Sequence, residues 1–175
     1  MTMNIERLKR TSSFLSVGSL IIAVALIIAL VAVIAVGIAI LVNDGIMNMI
    51  ADEIAPETFV RKDVYLIMAA VGMCVPLIAL IFFFLYKLFG NFSSSHSPFS
   101  VENVKILKMV SCIMLILAVV SVAAEALIVF NSSWDVSTMQ MGSGLTLILG
   151  ALLIYFMAHI FEYGAALQRE SDETL

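Results

Sequence analysis

LIIAVALIIALVAVIAVGIAIL, residues 20–41, runs for 22 residues without a charge, an amide or a hydroxyl. A helix rises 1.5 Å per residue, so this stretch alone reaches about 33 Å, enough to cross a hydrocarbon core of about 30 Å. With its flank the run covers 17–41, and three more like it follow, near 64–86, 106–130 and 145–163. Lipid is therefore the solvent for most of the chain. The expected fold class is all-α: a polytopic membrane protein with four transmembrane helices in an up-down bundle.

Composition supports this. Apolar residues make up 62% of the chain and charged residues 13%, against about 25% charged in a soluble domain. The charges fall almost entirely between the runs, and no interval between runs is long enough for a separate soluble domain. Residues 1–175 read as one membrane domain. The first run is about twice the length of a signal-peptide apolar region, so it is expected to remain as the first span.

The basic residues set the orientation. Arg7, Lys9 and Arg10 precede the first run, Lys87, Lys105 and Lys108 lie between the second and third, and Arg169 follows the fourth. Arg61 and Lys62 alone lie on the other side. The positive-inside rule then makes both termini cytoplasmic, with a cytoplasmic loop at 87–105 and a cytoplasmic tail at 164–175. The expected location is a bacterial cytoplasmic (inner) membrane, crossed several times. Asp44, Asp52, Glu53, Glu57 and Asp63 share the outer first loop and read as a solvated face, with a site for cations or cationic peptides as the sharper alternative.

Several local features follow from spacing. Ala25, Ala29, Val33 and Gly37 recur every four residues in span one, a small-residue stripe suited to close packing inside the bundle or to a homo-oligomer. Asn43-Asp44-Gly45 is a turn signal. Ile46, Met49, Ile50 and Ile54 suggest a short interfacial helix ended by Pro56. Pro76 sits mid-span and favours a kink. Gly90-Asn91-Phe92 and the serines after it read as loop. Ser100 is placed to cap span three by accepting from the Asn103 amide, with Glu102 favourable in the first turn. Trp134 suits an interface. Cys74 and Cys112 read as small packing residues at different depths, unsuited to a disulfide.

Functional candidates are polar groups in costly places. Glu125 interrupts an apolar span, at a depth where a carboxylate is less costly than at mid-membrane. Ser111, Ala118 and Glu125 step by seven, with Ser121 on the same face, so that stripe should face the bundle. It is either an ion, proton or ligand site or a structural carboxyl. Tyr155, His159, Glu162, Ala166 and Arg169 form a second stripe down span four, and His159 and Glu162 are in reach of each other. That stripe is either a pH-responsive element or a polar face packed on the loop. Met47, Met49, Met139 and Met141 in the outer loops could suit Cu(I), though methionine is also a common apolar filler. No nucleophile elbow, His-Glu-x-x-His or phosphate loop is present, so no enzyme is expected. No cofactor, metal site or direct nucleic-acid binding is expected either.

The tail from Phe161 through Tyr163, Gly164, Leu167, Gln168 and Arg169 to the acidic end resembles the ending of a bacterial family of four-span membrane proteins of undefined function. Ser97-Pro98-Phe99-Ser100 with Asn103 resembles a second feature of that family, a Pro-Phe turn opening span three, although the family often has glycine where this chain has Ser97. Members are often encoded beside a small Cro/CI-type helix-turn-helix regulator, so the resemblance implies a membrane partner of a transcription factor.

The leading expectation is a regulatory or interaction protein working through loop 87–105 and the tail, with Pro98, Phe99, Tyr163, Gly164, Leu167 and Gln168 at its surface. Helix formers after Gly164 extend the last helix to about Glu170, and Phe99 should pack beside Gly164 and Leu167. The alternatives are a small transporter or channel component using Glu125, and a self-protection protein against cationic peptides.

Overall fold

The structure is a computed structural model that describes residues 2–43, 45–46, 61–94, 99–132 and 143–173. Four long helices carry the chain: α1 (Thr2–Val42), α2 (Arg61–Ser94), α3 (Val101–Asn131) and α4 (Ser143–Glu173). All four are long and apolar enough to cross a membrane. Their apolar faces stay largely uncovered, as in Phe130 and Leu153, because lipid rather than protein is their solvent.

Neighbours in sequence are neighbours in space: α1 packs on α2, α2 on α3 and α3 on α4. The contacts make each pair antiparallel. Ser16 in α1 reaches Tyr86 in α2, while Gly37 meets Met68. Asn91 in α2 meets Asn103 in α3, and Lys108 in α3 meets Glu162 in α4 while Val122 meets Gly144. One end of the molecule therefore gathers the start of α1, the junction of α2 with α3, and the end of α4. Seven of the nine Lys and Arg residues belong to this basic end.

The α1 seam corrects the four-residue stripe. The main line of covered positions is Ser12, Ser16, Ser19, Ala23, Leu26, Leu30, Val33, Gly37 and Ile40, which alternate steps of three and four. A period of 3.5 keeps one face against a neighbour, whereas steps of four drift around the helix. Gly37 and Val33 fall on the seam, and Ala25 and Ala29 are exposed. The small seam residues let α1 lie close to α2, and the Ser16 hydroxyl donates to the Tyr86 carbonyl at 3.0 Å.

Three other expectations change. The segment 87–94 is helix, not loop, and much of the expected loop 87–105 is thus taken up by helix ends. Gly90 lies beside Ser16, and the Ser94 hydroxyl donates back to the Gly90 carbonyl at 3.0 Å. Asp63 is 1% exposed rather than solvated, and Cys112 faces outward rather than into the packing. Helix α2 runs unbroken through Pro76. The Asn43 side chain accepts from the Gly45 amide at 2.9 Å, in keeping with the expected turn. Asp44, Asp52, Glu53, Glu57, Met47, Met49, Met139, Met141, Ile50, Ile54, Pro56, Trp134 and Pro98 lie outside the described residues.

The best-packed core lies toward the basic end. Leu88, Ile106, Leu107, Val110 and Ala158 are buried together, with Phe84, Phe92 and Phe161 against them. Further along, an open groove of about 600 Å³ runs between α2, α3 and α4.

Candidate functional site

At the basic end the chain turns from α2 into α3 and is fastened there by side chains. The Ser100 hydroxyl caps α3 by accepting from the Asn103 amide at 3.2 Å, as the sequence implies. Asn103 is fully buried, and its side-chain oxygen accepts from the Asn91 amide at 2.9 Å. This bond joins α2 to α3 across the turn. A buried amide without a partner is costly, so the pair holds the two helix ends in register.

Phe99 lies on Gly164. A Cβ on Gly164 would stand 2.7 Å from Phe99 Cδ1, so glycine here permits the close approach of the ring. The expected contact between Phe99 and Gly164 is present. The sequence reading missed the aromatic partner, Phe161, whose ring centroid is 5.2 Å from that of Phe99. Phe161 also stacks on Phe92 of α2 at 5.9 Å. One ring from each of α2, the turn and α4 thus meets in a single aromatic cluster. Leu167, expected against Phe99, is 48% exposed, and Tyr163 is 67% exposed. Gln168 is exposed as well.

The span-four stripe is a real cluster. Lys108 Nζ donates to both carboxylate oxygens of Glu162 at 3.0 Å, and His159 Nδ1 stands 3.2 Å from Oε2 of the same group. Tyr155 meets the His159 ring edge-on, with centroids 4.7 Å apart. The carboxylate bridges two helices through a cation that the sequence reading left out of the stripe. Arg169 turns away and pairs with Glu173. Beside these groups, a shallow groove of about 250 Å³ runs between Val101 and Val104 on α3 and Ala165, Ala166 and Arg169 on α4.

Helix α4 reaches Glu173, beyond the expected end at Glu170. Its 31 residues make about 46 Å of helix, about 15 Å more than a 30 Å hydrocarbon core needs. Tyr163, Leu167 and Gln168 are exposed on the last turns of this helix.

Glu125 belongs to a different place. It is half-buried on α3, 17 residues from Lys108, or about 25 Å along the helix. Its stripe faces protein as expected: Ser111 and Ala118 are buried, and the Ser111 hydroxyl donates to the Ala151 carbonyl of α4 at 2.9 Å. Ser121 lines the groove between α2, α3 and α4. Among the described residues no group of three or more His, Cys, Asp or Glu side chains is placed to hold a metal ion.

Among known families, the model for a protein of unknown function, DUF2975, matches residues 49–175. No curated protein matches, and no solved structure does.

Proposed function

We propose that this chain, which belongs to the DUF2975 family of unknown function, is an inner-membrane interaction protein without enzymatic activity. Its working surface is the basic end, and its task is to hold a cytoplasmic partner at the membrane. The observation that carries this reading is the end of α4, where Tyr163 and Leu167 are exposed on a helix longer than a bilayer core needs. Exposed aromatic and aliphatic side chains one turn apart are the kind of anchor that a partner helix or groove buries. The aromatic cluster and the Asn91–Asn103 bond support it by tying the ends of α2, α3 and α4 together, so little order is lost on binding.

The partner we favour is a small helix-turn-helix regulator, on the strength of the family resemblance in the Pro-Phe turn and the tail. Sequestration at the membrane would keep such a protein from its operator. Both termini face the cytoplasm in this reading, because the seven basic residues gather at one end.

The test has two parts. A reporter fused after Leu175 should behave as cytoplasmic, and one inserted at Trp134 as external. Full-length protein in membranes should capture the neighbouring regulator, and Tyr163→Ala with Leu167→Ala should remove capture without changing insertion. Capture that survives both substitutions and deletion of 168–175 would place the surface elsewhere.

A further inference from the structure

We propose that copies of this chain associate side by side in the membrane, with the outer face of α1 of one copy seated on the outer face of α4 of the next. The starting point is the order of the helices. Among the described residues α2 and α3 each pack extensively on two neighbours, whereas α1 packs so on α2 alone and α4 on α3 alone. Helices α1 and α4 are therefore the two edges of a row. Apolar length does not name what covers an edge, since lipid covers it as well. The charged and aromatic side chains at the basic end do.

The packed faces fix the outer ones. Ser12, Ser16 and Ser19 are buried on the α2 side of α1. Arg7, Arg10, Phe14 and Val17 are exposed along the opposite line, at steps of three and four. On α4, Ala151 and Ala158 are buried toward α3, and Ile160, Tyr163, Leu167 and Glu170 are exposed along the opposite line. The two exposed lines also match in height. Ser16 bonds at Tyr86 and lies beside Gly90, Leu88 packs with Ile106, and Lys108 bonds Glu162. Ser16 and Glu162 thus stand within about a turn of one level. Counted outward from there, Phe14 is level with Gly164, next to Tyr163, and Arg7 and Arg10 are level with Ser171 and Gln168, on either side of Glu170.

Charge then names the occupant. Residues 6–10, Glu-Arg-Leu-Lys-Arg, carry three positive charges and one negative, and residues 169–173, Arg-Glu-Ser-Asp-Glu, carry three negative and one positive. The two edges are opposite in sign at the same height. Copies inserted the same way keep these heights when they meet, so Arg7 and Arg10 of one come beside Glu170 of the next, and Phe14 beside Tyr163. The helices that meet are antiparallel, as at the three junctions inside the chain. Anionic lipid headgroups answer only the two arginines, whereas a second copy supplies a carboxylate for them and a ring for Phe14. Like edges do not fit, since α1 on α1 sets positive against positive, so the contact is head to tail. A copy seated there covers Tyr163 and Leu167, and association and capture of the proposed partner exclude one another. The association itself does not rest on that partner.

The experiment co-expresses two tagged copies of the full chain, both with Cys74→Ala and Cys112→Ala. One carries Phe14→Cys and the other Tyr163→Cys, and the membranes are treated with a short bis-maleimide linker. The mixed pair should link, and neither copy should link to its own kind above background. Glu170→Lys in the second copy should reduce mixed linking about threefold, the scale of an exposed ion pair. Arg7→Glu with Arg10→Glu in the first copy should then restore it, a rescue that a folding defect in either copy would not give. A chain carrying both Phe14→Cys and Tyr163→Cys should give linked species of several copies. Equal linking of like and mixed copies would mean chance collision in the membrane, and a link closed within one chain would mean that α1 reaches its own α4. Either result would overturn the proposal. So would mixed linking that is indifferent to Glu170→Lys, the result expected if lipid headgroups hold the arginines.

Discussion

Replacing Gly164 by alanine separates two effects that ordinarily act together. In a helix interior, alanine is favoured over glycine by about 1 kcal/mol. Here the new methyl group would stand 2.7 Å from one carbon of the Phe99 ring and 3.0 Å from two others. Carbon atoms prefer about 3.5–4.0 Å, so the ring must move by close to an ångström. Phe99 is 39% exposed and can swing outward, but it then leaves Phe161, a contact worth about 0.5–1.5 kcal/mol beyond area burial. Overpacking of this kind costs about 1–3 kcal/mol. Gly164→Ala should therefore lower stability by up to about 2 kcal/mol in the natural chain. In a Phe99→Ala background the clash is gone, and the same change should raise stability by about 1 kcal/mol. Thermal melts in detergent micelles, followed by circular dichroism across the four variants, give the coupling energy. A coupling near zero, with alanine equally favourable in both backgrounds, would refute the account of Phe99 as a plug seated on glycine.

Other substitutions test other joints. Asn103→Ala should destabilise the protein by about 1–3 kcal/mol, since it leaves the Asn91 amide without its buried acceptor; the Asn91→Ala, Asn103→Ala pair should cost less than the sum of the singles in the same melts. Ser16→Leu should cost about 1–3 kcal/mol by wedging α1 from α2, while Ser13→Leu, on the exposed side, should be neutral. Ala25→Leu and Ala29→Leu should leave melting unchanged, because neither residue is on the seam with α2. Loss of an oligomer in either variant would restore the four-residue stripe as an interface. Lys108→Met should shift melting only slightly, and less at high salt, because both partners of the Glu162 bridge are substantially exposed.

The four spans were readable because a bilayer imposes length and composition so strictly. The Ser100 cap was readable because it depends on residues three apart, and Gly164 because a glycine inside a run of helix formers needs a reason. What failed were judgements that depend on the neighbour. Gly90, Asn91 and Ser94 look like turn residues in isolation. They are helical because Ser16 covers the glycine, Asn103 pairs with the amide and the serine bonds its own helix. The α1 seam was assigned a period of four instead of 3.5, since small residues are so frequent in that span that several stripes fit. Asp63 reads as a solvated loop residue, because nothing local in the sequence marks it as buried. Lys108 reaches the site from α3, and Phe161 meets rings from α2 and the turn, so local spacing shows neither partnership.

Because each helix packs on the one before it, the chain never has to wait for a distant partner. Among the described residues α1 makes its extensive contact with α2, which is available as soon as α2 enters the membrane, and α3 and α4 each find theirs in turn. Before then, the Ser19 hydroxyl is already occupied by its own backbone at Leu15, which leaves the Ser16 hydroxyl to find Tyr86 when α2 arrives. Low contact order of this kind favours fast assembly during synthesis and few misassembled intermediates. It also makes α1 separable: expressed as its own peptide beside a chain starting after the first loop, it should find its seam on α2 and restore the whole from two pieces.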